Sequence, residues 1–147
     1  MTSTIGQIPP LAARRFGAGT ALLVGDRSLS FNDLEALSNR VANGLVAAGV
    51  QPGDRVALYG PNCWEWLVAY YGVAKTGAVL IPVNVMLTPD EVRYVVEDSG
   101  TKAVVASAPT WALKPCTAPR PLRLTQRPSP SVSLAEAMIV ASRGCPS

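Results

Sequence analysis

The stretch Asp54-Arg55-Val56-Ala57-Leu58-Tyr59-Gly60-Pro61-Asn62-Cys63-Trp64-Glu65-Trp66-Leu67-Val68 decides the fold, together with its continuation Ala69-Tyr70-Tyr71-Gly72-Val73-Ala74-Lys75-Thr76-Gly77-Ala78-Val79-Leu80-Ile81-Pro82-Val83. Val56–Tyr59 is too uniformly apolar for a half-exposed edge, so Arg55–Tyr59 reads as a buried strand. Asn62 can cap a helix, with Glu65 three residues on. That helix runs to about Thr76 and stops at Gly77. It is apolar nearly all round, through Trp64, Trp66, Leu67, Val68, Tyr70, Tyr71 and Val73, which predicts a helix packed on both sides. Ala78–Val83 follows as a second strand, with Pro82 near its end.

The pattern extends both ways. Upstream, Ser30 and Asp33 form a capping-box pair, and Leu29 and Leu34 occupy the two positions of a hydrophobic staple. Leu34, Leu37, Val41, Leu45 and Ala48 recur at steps of three or four and make one apolar face, which ends at Gly49. Before it, Ala21–Val24 and Leu29–Phe31 read as two short strands joined by a tight turn at Gly25-Asp26. Downstream, Thr88-Pro89-Asp90-Glu91 opens a helix with a cap, a proline at its first position and acids in its first turn. Val92, Val95 and Val96 stripe that helix, Ser99-Gly100 ends it, and Lys102–Ser107 is a third strand. Helices alternating with apolar strands predict an α/β fold, a partial three-layer domain whose mainly parallel sheet is joined by right-handed crossovers. No internal repeat is found.

Composition divides the 147 residues at one point. Residues 1–108 carry 8 basic and 9 acidic side chains, whereas 109–147 carry 5 basic and 1 acidic and hold 7 of the 13 prolines. The reading is a loosely ordered lead-in at 1–19, a subdomain at 20–108, and a Pro/Arg/Ser-rich tail at 109–147 that is mostly disordered. Within that tail only Ser133–Arg143 could form a short helix, through Leu134, Met138 and Ile139. Three cysteines at wide spacing make no disulfide framework, and the absence of histidine removes the commonest general base and metal ligand. No apolar run reaches the length of a membrane span, Met1–Pro10 has no signal-peptide pattern, and a cytoplasmic location is expected.

Several segments in fixed order resemble the start of the AMP-forming, adenylate-forming ligase family, and of its acyl-CoA synthetases in particular. They are Leu29-Ser30-Phe31-Asn32-Asp33-Leu34, Gly49–Ala57, Pro61-Asn62-Cys63-Trp64-Glu65-Trp66, Lys75-Thr76-Gly77-Ala78, Ile81-Pro82-Val83-Asn84 and Leu87-Thr88-Pro89-Asp90-Glu91. The resemblance implies the N-terminal portion of a ligase that joins a carboxylic acid to ATP, releases pyrophosphate and passes the acyl group to a thiol such as CoA. It also implies a Gly- and Ser/Thr-rich loop on the phosphates, Mg²⁺ to screen them, an acid on the ribose and a lysine on a mobile C-terminal domain. None of these lies in the matching segments. ATP, Mg²⁺ and CoA are therefore implied for the full-length family and none is expected for this chain. No catalytic, cofactor-binding or metal residue is assigned.

Other patterns have plainer readings. Ser99-Gly100-Thr101-Lys102 superficially resembles a phosphate loop but sits at a helix end. Gly17-Ala18-Gly19 starts a dinucleotide fingerprint that Leu22 does not complete. Asn62 reads as a cap rather than an anion site, Cys63 as a packed thiol, the Trp64–Tyr71 aromatics as core, and Asn84 as a loop-ordering residue. The tail's dispersed basic residues, with only Trp111 for stacking, do not suggest nucleic acid.

The chain is expected to be inactive alone: a truncated relative, its break after 108 reflecting a frameshift or truncation. The alternative is a half-enzyme or interaction module that pairs with a complementary ligase chain, or with itself, through an exposed sheet edge.

Overall fold

Ser30 begins the longest helix as the sequence predicts. In the computed structural model, which describes residues 4–107, 122–123 and 137–141, helix α2 spans Phe31–Ala47. The Ser30 hydroxyl accepts from the Asp33 N–H at 3.1 Å, and the Asp33 carboxylate accepts from the Ser30 N–H at 2.9 Å. Leu34, Leu37, Val41 and Leu45 are buried with Leu29, so both staple residues reach one core. Ala48 closes the helix and Gly49 turns away at φ 88°, a conformation that strains any residue with a Cβ.

The segment before α2 departs from the expected loose lead-in. A 3-10 turn at Ile5–Gln7 runs into α1, Ile8–Phe16. Pro9 and Pro10 do not break it because they sit in the first turn, where the missing N–H has no intrahelical partner to lose. The antiparallel hairpin β1 (Thr20–Val24) and β2 (Arg27–Ser30) follows, joined at Gly25-Asp26. Main-chain carbonyls of Gly19 and Gly17 accept from the Phe31 and Asn32 N–H groups, so they complete the cap of α2.

Strand β3 (Arg55–Tyr59) is the axis of the sheet. It pairs in parallel with β4 (Val79–Val83) on one side and β5 (Ala103–Ser107) on the other. Helix α3 (Trp64–Lys75) connects β3 to β4, and α4 (Pro89–Asp98) connects β4 to β5. The period-two alternation of β3 divides the interior. Val56 and Leu58, with Ala103 and Val105, pack under α2 and α3. Ala57 and Tyr59, with Val83, Val104 and Ala106, pack under Val92, Val95 and Val96 of α4. The two crossovers step in opposite directions with their helices on opposite faces, so they share one hand, as parallel connections require.

Helices α2 and α3 meet at close range. A Cβ placed on Gly72 would stand 2.5 Å from Cβ and Cγ1 of Val41 and 3.2 Å from the Ser38 carbonyl. Ser38, fully buried at this crossing, donates its hydroxyl back to the Glu35 carbonyl at 3.1 Å.

Two further expectations are corrected. Helix α3 starts at Trp64 with Cys63, not Asn62, at its cap position. The possible helix over Ser133–Arg143 is instead strand β7 at Ala137–Ala141, antiparallel to β5, with β6 (Leu122–Arg123) beyond it. A strand forms there because the free side of β5 offers a ladder that no local periodicity reveals. The remainder of 109–147, assigned to the irregular tail, lies with residue 108 outside the described residues. The sheet is thus mixed, in the order β4-β3-β5-β7-β6.

At the other rim, the Val79 N–H donates to Asp54 at 2.7 Å, so Val79, Ile81 and Val83 direct their main-chain groups at β3. Leu80 and Pro82 direct theirs outward. Pro82 brings no donor to that rim, which suits an edge strand, one of the few places in a sheet where proline is tolerated.

Candidate functional site

In open parallel sheets ligands bind beyond the carboxyl ends of adjacent strands whose following helices lie on opposite faces. Here those strands are β3 and β4, since α3 covers one face and α4 the other. The crevice between them is bounded by Gly60-Pro61-Asn62-Cys63 after β3 and by Asn84–Thr88 after β4.

Each wall has a local structural explanation. The Asn84 side-chain oxygen accepts from the Met86 N–H at 2.9 Å and its carbonyl accepts from Leu87 at 3.2 Å, so Asn84 orders its loop as expected. Thr88 caps α4 through a reciprocal pair with Glu91. Pro61 and Asn62 are exposed. Burial pushes the Cys63 thiol up from its ordinary pKa, which disfavours the reactive thiolate. Arg27 of β2 stacks over the Trp64 ring, 4.8 Å from its centroid. Trp66 stacks on Tyr70 at 5.7 Å and Tyr70 meets Tyr71 edge-on at 5.4 Å, all packed against the core formed with α2. The aromatics are therefore a packing layer, as their helical spacing predicts.

The resemblance implies ATP with Mg²⁺, and these residues do not fit that group. Residues 60–63 and 84–88 contain no charged side chain, and no cluster of metal-ligating side chains occurs among the described residues. A triphosphate held there would lack both the cationic groups and the Gly-rich loop that such charge demands.

The motifs that mimic nucleotide loops lie elsewhere. Ser99-Gly100-Thr101-Lys102 is at the opposite, amino-end rim of the sheet. Ser99 caps α4 and its hydroxyl lies 2.7 Å from that of Thr101. Gly100 takes φ 61° to turn the chain, and Lys102 pairs with Asp54 at 3.0 Å. Asp54 also accepts from the Gln51 N–H at 2.7 Å, and this bond, with Lys102, holds its carboxyl below the ordinary range. Gly17-Ala18-Gly19 serves the α2 cap already described.

One polar cluster escaped the sequence reading. The Lys75 ammonium, on the last turn of α3, donates to the Glu35 carboxylate and to Asn39 Oδ1 at 2.7 Å, both on α2. Side-chain exposure is 10% for Lys75 and 23% for Glu35, so the pair is largely desolvated. It borders a groove of 340 Å³ lined also by Gly6, Asn43 and Val46. Two signals could have found it. Glu35 and Asn39 stand one turn apart, and Lys75 is the sole cation between Arg55 and Arg93. All three polar groups satisfy one another, so the cluster reads as a clasp between helices.

Comparison with known proteins agrees with this architecture. Residues 11–142 match the family described as AMP-binding enzyme. The chain is 44% identical over 85 residues to a long-chain-fatty-acid–CoA ligase of Mycobacterium tuberculosis, covering 58% of this chain and 17% of that protein. It is 40% identical over 99 residues to a fatty acid–[acyl-carrier-protein] ligase of Streptomyces coeruleorubidus, covering 67% and 19%. Among solved structures, a Mycobacterium tuberculosis fatty acyl-CoA synthetase superposes with a TM-score of 0.70 at 37% identity, over 75% of this chain and 22% of that one. A Burkholderia xenovorans benzoate CoA ligase does so with a TM-score of 0.69 at 26% identity, over 74% and 22%. The chain thus spans under a quarter of the length of these relatives. By family match and by shared fold, it belongs to the AMP-binding enzyme family, as a relative of the N-terminal part of its acyl-CoA ligases.

Proposed function

We propose that this chain provides the N-terminal scaffold of an ATP-dependent, AMP-forming acid–thiol ligase, acting on a fatty or related carboxylic acid, and that the 147 residues do not adenylate an acid unaided. One observation carries the reading. The chain matches the family over residues 11–142, yet its loops after β3 and β4, residues 60–63 and 84–88, carry no charged side chain where phosphate chemistry needs charge. Acyl-dependent ATP–pyrophosphate exchange with the purified chain, across short, medium and long fatty acids, is the test. The expected result is no exchange above a protein-free control. Exchange that co-purifies with the chain would refute the reading.

A second reading is a half-enzyme completed by a separate ligase chain that brings the phosphate loop and lysine. The exposed Met86 and Val85 beside the β3–β4 crevice favour it, because they leave an apolar surface at the mouth where such a partner would dock. Mixing the chain with a C-terminal ligase fragment and recovering exchange would support it; inert mixtures that do not co-elute would dismiss it.

A further inference from the structure

We infer that copies of this chain associate head to tail, the outer face of α1 on one copy docking on the outer face of α4 on the next. On α1, Leu11 is 52% exposed and is followed three and four positions on by Arg14 and Arg15, both exposed. On α4, Tyr94 is 67% exposed and is followed at the same spacing by Glu97 and Asp98, both exposed. Residues three and four apart share a helix face. Leu11 set against Tyr94 therefore brings two arginines level with two carboxylates.

Neither face balances its charge from within. Asp90 pairs with Arg93 at 2.9 Å, but no salt bridge among the described residues engages Glu97 or Asp98. Both acids stand at the C-terminal end of α4, where the helix dipole favours cations and the last turn holds no basic residue. Lys102, just beyond that end, goes to Asp54. On the other face, residues 4–25 contain no acid, so Arg14 and Arg15 have no local counter-charge. An arginine pair from a second copy supplies what the end of α4 lacks.

Topology sets the mode of association. Helix α1 lies on α2, on the α2–α3 side of the sheet, whereas α4 covers the other side. The two faces cannot meet within one molecule. Complementary patches on opposite sides make a heterologous contact, which adds copy to copy rather than closing as a two-fold dimer. Helices of nine and ten residues laid side by side bury less than the roughly 1,200 Å² of a stable complex, so the contact is weak and sensitive to salt.

Sedimentation equilibrium of the full chain under reducing conditions tests this. The weight-average mass should climb with protein concentration and fall back toward the monomer as salt rises. Arg14→Glu/Arg15→Glu and Glu97→Arg/Asp98→Arg should each weaken association about tenfold or more. The second replacement suits the dipole of α4, so it does not act by loosening that helix, and circular dichroism confirms that both variants stay folded. An equimolar mixture of the two variants should associate again, because one then carries two acidic faces and the other two basic faces. A wild-type chain that stays monomeric up to about 1 mM, association indifferent to salt, variants that associate as the wild type does, or a mixture that stays monomeric would each overturn the inference.

Discussion

Replacing Gly72 with alanine should destabilise this chain, although alanine is the better helix former. The substitution gains about 1 kcal/mol of helix propensity at an interior position. Against this, the new methyl would lie 2.5 Å from two carbons of Val41, where carbon atoms ordinarily rest near 3.5–4.0 Å. Both atoms belong to residues fixed on regular helices, so α2 and α3 must part by about 1 Å. Overpacking of this kind costs roughly 1–3 kcal/mol, and here it lies at the upper end because Val41 Cβ cannot rotate away. The net loss is about 1–2 kcal/mol, or a Tm lower by about 4–16 °C for a domain of this size. Thermal unfolding followed by circular dichroism reads it directly. Val41→Ala should not rescue Gly72→Ala, since the Cβ contact survives the truncation. A Gly72→Ala chain with unchanged or raised Tm would show that the helices do not approach as described.

Three other outcomes follow from the same structure. The Ser30 hydroxyl and N–H hold the Asp33 carboxyl below the ordinary value of 3.8, so its contribution to stability is complete above that pH and is lost as pH falls through the lower folded value; Asp33→Asn should therefore lower stability at neutral pH by about 1 kcal/mol and flatten the acid limb of a stability–pH curve. Glu35→Gln should cost more than Lys75→Met, within roughly 1–3 kcal/mol, because it strands the more deeply buried charge, and denaturant midpoints of both variants and the double replacement would show the asymmetry. In a Cys116→Ser/Cys145→Ser chain, Cys63 should alkylate more slowly than a free thiol at pH 8 and reach the free rate only in denaturant, since burial raises its pKa.

What the sequence made legible was local. Ser30 with Asp33 and Thr88 with Glu91 announce their helices because each cap is a contract between residues three apart. The alternation of Val56, Ala57, Leu58 and Tyr59 announces a strand covered on both faces for the same reason. What stayed hidden was non-local. Pro9-Pro10 reads as a breaker until its place in the first turn is known. Asn62 looks like a better cap than Cys63, yet the helix starts one residue later. Leu134, Met138 and Ile139 carry a helix-like spacing, yet Ala137–Ala141 is a strand that pairs along the side of β5 away from β3. The Lys75–Glu35 clasp joins residues forty apart, beyond the reach of any periodicity. The candidate crevice was legible in outline as the ends of two strands, but Asn62 and Asn84 carry no chemical signature that separates ligand contact from loop building.

Strand β3 belongs to both interiors at once, and this sets how the molecule breathes. Its odd and even residues anchor separate apolar layers, so neither layer can open without disturbing it, and releasing it dissolves both. Amide protons of Val56–Tyr59 should therefore exchange with solvent only in the rare event that unfolds the whole unit. The hairpin, with Leu23 and Val24 turned to water, can fray by itself. A hierarchy of motion is thereby written into one short strand: the rim opens often and the spine opens last.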